Sequence, residues 1–119
     1  MIPLSAKADR DEYVSAVLTM YLRLPETPSR ANPLDRKRAA ELHARGVTLH
    51  TVEYSLLLAS MRRLGRPQEY PPLSPIRSLA YFLPVIDEVL EQPIPEGYID
   101  YIRRKVELLS SREIKAACR

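Results

Sequence analysis

Cysteine, glycine and long apolar runs are nearly absent from this chain. A single cysteine, Cys118, excludes an intramolecular disulfide and any cysteine-cluster zinc site. Glycine occurs three times, each time isolated, so a glycine-rich phosphate loop cannot be built. No apolar run approaches the ~18 residues that mark a membrane-crossing helix. The first 15 residues carry five charges and no apolar block, which predicts no secretory leader and makes a bacterial-type cytoplasm the expected compartment. Sustained alternation with β-branched residues is missing, so strand content should be near nil. No repeat period or low-complexity stretch is visible.

What the chain does have is the balance of an ordinary globular domain: 119 residues, 45% hydrophobic and 28% charged. That is one domain, residues 1–119, large enough to bury a core without staples. Eleven prolines punctuate it. The predicted fold is all-α: a single compact domain of four to six helices with a helix-turn-helix-like corner.

The helices are placed by their caps and stops. The first is predicted over residues 10–24, capped by Asp9, with Glu12 near a capping-box position and Pro25 as the stop. Tyr13, Val14, Val17, Leu18, Met20, Tyr21 and Leu24 form its apolar face. Asn32-Pro33 starts the second helix and Gly46 terminates it, with Leu34, Ala39, Leu42 and His43 inward. Thr48 caps the third, which runs to Leu64 and ends at Gly65. Its stretch Leu56-Leu57-Leu58-Ala59 is apolar on nearly every side, which places this helix at the centre of the fold. Ser74-Pro75 repeats the cap-then-proline signal for a fourth helix, and Pro84 inside that pattern predicts either a kink or two short helices meeting there. After Gln92-Pro93-Ile94-Pro95 a fifth helix is predicted over residues 96–109, with Tyr98, Tyr101, Ile102, Lys105, Val106 and Leu109 on one face. Residues 110–119 read as a basic tail, flexible or helical, set off by Ser110-Ser111.

Net charge is only +3, but it is segmented. Residues 1–35 sum to −1, 36–66 to +5, 67–102 to −5 and 103–119 to +4. Fourteen of the eighteen basic residues are arginine, whose planar fork matches phosphate and carboxylate bidentately. A high-GC genome writes the same bias without any functional cause. Alternating blocks of sign also permit head-to-tail self-association.

Chemistry-bearing motifs are few. His43 and His50 lie seven residues apart, but a metal needs further ligands and none stands nearby at zinc spacing, so ordinary, partly exposed histidines are expected. Asp87, Glu88 and Glu91 read as a solvated helix face. No nucleophile–base signature is present, and neither an enzyme nor a cofactor is expected. Residues 39–56 give a helix, a glycine turn and a second helix with Val47, Leu49 and Val52 at packing positions. A major-groove reader built on it would present His50, Thr51, Glu53 and Tyr54 to base edges, yet this set lacks the Arg, Asn and Gln that usually read them. An ordinary helical corner fits the same residues.

The stretches YLRLPETPSR, LHARGVTLHTVEYSLLLASMRRL, PPLSPIRSLAYFLPVIDEVL and YIDYIRRKV cover more than half the chain. In phrasing and spacing they resemble small uncharacterised bacterial helical proteins of mobile-element and replication gene neighbourhoods. That resemblance implies a role alongside nucleic-acid handling and carries over no functional residues.

The leading expectation is therefore a non-enzymatic accessory protein that binds DNA or RNA phosphates and docks to a larger protein. Its contact residues would be Arg36, Lys37, Arg38, Arg45, Arg62, Arg63, Arg66, Arg103, Arg104 and Lys105. Tyr98 and Tyr101 lie near the last of these and are able to stack on bases. The alternative is a protein–protein adaptor or inhibitor with no nucleic-acid contact, using the acidic 87–100 segment or the proline-rich loop around Tyr70.

Overall fold

The computed structural model describes residues 4–92 and 94–117, with the side chains of 9–92 and 94–111. Cys118 and Pro93 lie outside the described residues. Among these the chain is all-helical: α1 (Leu4–Leu22), α2 (Pro33–Ala44), α3 (Leu49–Leu64), a 3-10 turn (Leu79–Phe82), α4 (Leu83–Glu91) and α5 (Tyr98–Ala117).

Most boundaries follow from local chemistry. Asn32 caps α2 by accepting from the Asp35 N–H at 2.9 Å, while the Asp35 carboxylate accepts from the Asn32 N–H at 3.0 Å, a reciprocal capping box. Gly46, at φ +76, takes the left-handed conformation that reverses the chain after α2. The Thr48 hydroxyl accepts from the Thr51 N–H and opens α3. Elsewhere the expectation needs correction. α1 starts at Leu4, so Asp9 lies inside a running helix rather than capping it. Ser78 caps the 3-10 turn, whereas Ser74-Pro75 starts no helix. Pro84 sits in the first turn of α4, where its missing N–H costs nothing, so two short helices meet there. α5 continues through Ser110-Ser111 to Ala117.

The α3 helix divides the interior. Val52, Leu56 and Ala59, at i, i+4 and i+7, face α1, the 3-10 turn and the start of α4, packing with Val17, Tyr21, Leu42, Phe82 and Ile86. Tyr54 and Leu58 point the other way, to Val89, Ile102 and Val106. A helix with a core on both sides must be apolar nearly all round, which is why residues 56–59 read as they do. The α2 helix packs chiefly on α1, and also on the 3-10 turn. The Tyr13 hydroxyl donates to the Val47 carbonyl at 2.7 Å and ties the α2–α3 turn to α1.

Several side chains lie where the sequence did not place them. Leu34 and Leu49 are exposed, at 56% and 40%. Asp35 is fully buried, and its second oxygen accepts from the Leu79 N–H at 2.9 Å, joining the start of α2 to the 3-10 turn. Among the described residues no helix is long and apolar enough to cross a membrane.

Candidate nucleic-acid interface

The ten predicted contact residues fall into three groups. Arg63 alone is withdrawn from the surface. Its side chain is 4% exposed. The guanidinium donates to Glu26 at 2.8 Å, to the Ser74 carbonyl at 2.5 Å and to the Tyr81 hydroxyl at 3.5 Å, and lies 5.4 Å from the centre of the Tyr81 ring. Burial pulls its pKa down, but the hydrogen bonds to Glu26 and Tyr81 and their charges outweigh this and hold it above the ordinary value. Glu26 adopts φ +64, a left-handed conformation costly for a residue with a side chain, and its carbonyl accepts from the Ile76 N–H. Arg63 therefore fastens the α1–α2 connection and the 66–78 segment onto α3. It is a structural clasp and not a phosphate contact.

Three further cations are exposed but already face carboxylates. Arg45 meets Asp87 at 3.0 Å, and Arg62 grips Glu88 through both nitrogens at 2.8 and 2.6 Å. Arg103 contacts both Glu53 and Asp100. The Arg62 hydrogen bonds hold the Glu88 carboxyl below its usual range, and Glu88 in turn raises the Arg62 pKa. These pairs join the +5 segment to the −5 segment within one chain, so the blocks that permit head-to-tail association are partly neutralised internally. Such exposed pairs contribute little stability. Their carboxylates nonetheless stand where a phosphate would have to approach.

The third group makes no ion pair among the described residues: Arg36, Lys37, Arg38, Arg66, Arg104 and Lys105. Arg66 lies over the ring of exposed Tyr70, 5.5 Å from its centre. Arg36, Lys37 and Arg38 are placed by the α2 capping box. With Asp35, Ala39 and Leu42 buried at i, i+4 and i+7, Arg36 and Lys37 project outward and Arg38 lies half-buried at the flank. Glu41, one turn after Lys37, forms no ion pair with it. On α5, Ile102 and Val106 are buried, which turns Arg104 and Lys105 to solvent.

The predicted base-reading set of the corner does not assemble. Tyr54 is buried, Glu53 is held by Arg103, and Thr51 bonds to Thr48. Of the four, only His50 is exposed. His43 is half-buried, its ring edge-on to Tyr13 at 5.1 Å. Among the described residues no group of His, Cys, Asp or Glu is arranged to hold a metal.

A groove of about 820 Å³ that the sequence did not announce runs between the end of α1, α3 and α5. Met20, Leu24, Leu57 and Val106 supply apolar walls, and Arg23 and Glu107 line it. Comparison of the chain with family models, curated proteins and solved structures finds no match.

Proposed function

We propose that this protein is a non-enzymatic accessory factor that binds nucleic-acid phosphates through Arg36, Lys37 and Arg38 on α2 and Arg104 and Lys105 on α5. The observation carrying this reading is the α2 cluster. Three consecutive cations lie near the start of the helix, two exposed and one half-buried, and none gains an ion-pair partner among the described residues. No carboxylate among the described residues neutralises them, so their charge is available to an external anion. Arg45, Arg62 and Arg103 are each paired with a carboxylate and Arg63 is buried, so none of the four is a principal contact in this reading.

The test is a titration of fluorescent DNA and RNA at several salt concentrations. Replacing Arg36, Lys37 and Arg38 together with Ala should lower the log–log salt slope by about 2–3, each lost phosphate contact contributing ~0.7–0.9. An unchanged slope removes α2 from the interface.

The groove between α1, α3 and α5 favours a second reading, a protein-interaction module that takes up an apolar segment of a larger partner. That reading on its own predicts no nucleic-acid binding even at low salt.

A further inference from the structure

The face of α5 that bears Arg104 and Lys105 also bears two tyrosines that the interior does not take up. Tyr98 is 39% and Tyr101 51% exposed. Their rings stack, with centroids 5.4 Å apart and planes inclined by 25°. Tyr98 is backed by the buried Tyr54 ring, 6.3 Å away. The three rings form a ladder rooted in the core at Tyr54 and ending in solvent at Tyr101. Gly97, at φ +78, sets the chain direction into α5 just before it.

Helical spacing joins this ladder to the free cations. Tyr98 and Tyr101 are i, i+3 neighbours, and Arg104 and Lys105 follow Tyr101 at i+3 and i+4, one turn further along the same side. Carboxylates border the patch. Asp100 is turned to Arg103 at 3.0 Å, Glu96 is exposed beside Tyr98, and Glu107 forms no ion pair with Arg104.

We infer that this patch is a base-stacking platform for single-stranded nucleic acid. An unpaired base lies on the outward face of Tyr101, whose inner face is already occupied by Tyr98. The adjoining phosphates meet Arg104 and Lys105. Stacked rings beside unpartnered cations suit a strand whose bases are free. A duplex, with its base faces already stacked, gains only the phosphate contacts. The inference rests on the phosphate-binding reading above and adds the class of nucleic acid.

The experiment uses the whole chain with a deoxythymidine decamer and with a duplex of the same length. It is read by anisotropy and by intrinsic fluorescence, which here comes from tyrosine alone because tryptophan is absent. The decamer should bind about tenfold more tightly than the duplex and quench the tyrosine signal. Tyr101→Leu, at an exposed site, should weaken decamer binding about tenfold and leave duplex binding unchanged, with an unaltered helical circular-dichroism spectrum. Equal affinity for both strands together with an inert Tyr101→Leu overturns the platform and leaves the phosphate reading standing. Absence of binding to either at low salt overturns both.

Discussion

Removing either member of the Glu26–Arg63 pair should damage the fold, but not equally. The Arg63 side chain is 4% exposed, whereas the Glu26 side chain is 33% exposed. Glu26→Ala leaves a guanidinium buried beside only the Ser74 carbonyl and the Tyr81 hydroxyl. Stranding a buried charge in this way costs about 3–5 kcal/mol. Arg63→Met leaves a carboxylate that water already reaches, so its cost should lie nearer ~2 kcal/mol, mostly lost hydrogen bonds. Backbone strain supplies a second comparison. Because Glu26 sits at φ +64, Glu26→Gly should be milder than Glu26→Ala by ~1 kcal/mol, the left-handed penalty that glycine escapes. Combining Glu26→Ala with Arg63→Met should cost less than the sum of the two, since neither charge is then left alone. Urea denaturation of each variant, with the slopes compared to confirm a common unfolded state, gives the values directly. The reasoning is refuted if Arg63→Met proves as costly as Glu26→Ala, or if Glu26→Ala costs less than ~1 kcal/mol.

Tyr21 is fully buried and its hydroxyl has no partner among the described residues, so Tyr21→Phe should be neutral or stabilising by ~1 kcal/mol at pH 7 in thermal melts. Burial, with the nearby Asp35 charge, pushes the Tyr21 pKa up to about 12 from 10.0. The folded state thus favours the protonated ring, so stability is intact below pH 10 and falls as pH rises toward 12; Tyr21→Phe should unfold at higher pH than the parent. Asp35→Ala strands the Asn32 and Leu79 N–H groups at once and should cost about 2–4 kcal/mol by denaturation, with Asp35→Asn, which keeps one acceptor, recovering part of it. Leu56→Ala, in the main core, should cost about 2–5 kcal/mol, against almost nothing for Leu34→Ala on the exposed side of α2.

Much of the helical plan was legible because helix punctuation is local. Asn32-Pro33, Thr48, Gly46 and Gly65 each act through neighbours within four residues, and each marks the boundary expected of it. The misplacements come from competing local signals. Asp9 has the chemistry of a cap but lies within a helix already under way from Leu4, and Ser74-Pro75 has the form of a start that Ser78 supplies instead. The centrality of α3 was visible in its all-round apolar stretch. The fate of the charges was not. Arg63 and Glu26 are 37 residues apart, and Arg45 and Asp87 are 42 apart. No periodicity reports such pairings, so Arg63 read like its exposed neighbour Arg62. The inward turn of Asp35 had half a signal, the capping box with Asn32; its bond to the Leu79 N–H required the fold. Tyr98 and Tyr101 share the predicted α5 face with Ile102 and Val106, but Ile99, Ile102 and Val106 fill its buried part and leave the tyrosines on its flank.

The central claim is that unpartnered cations on α2 and α5 form an anion-binding surface for nucleic acid. Its most direct measurement is the affinity of the intact protein for a labelled single strand across a series of salt concentrations. Five engaged cations predict a log–log slope of about −3 to −4, given ~0.7 per phosphate contact on a single strand. An affinity that does not change with salt, or no binding at the lowest salt, contradicts the claim.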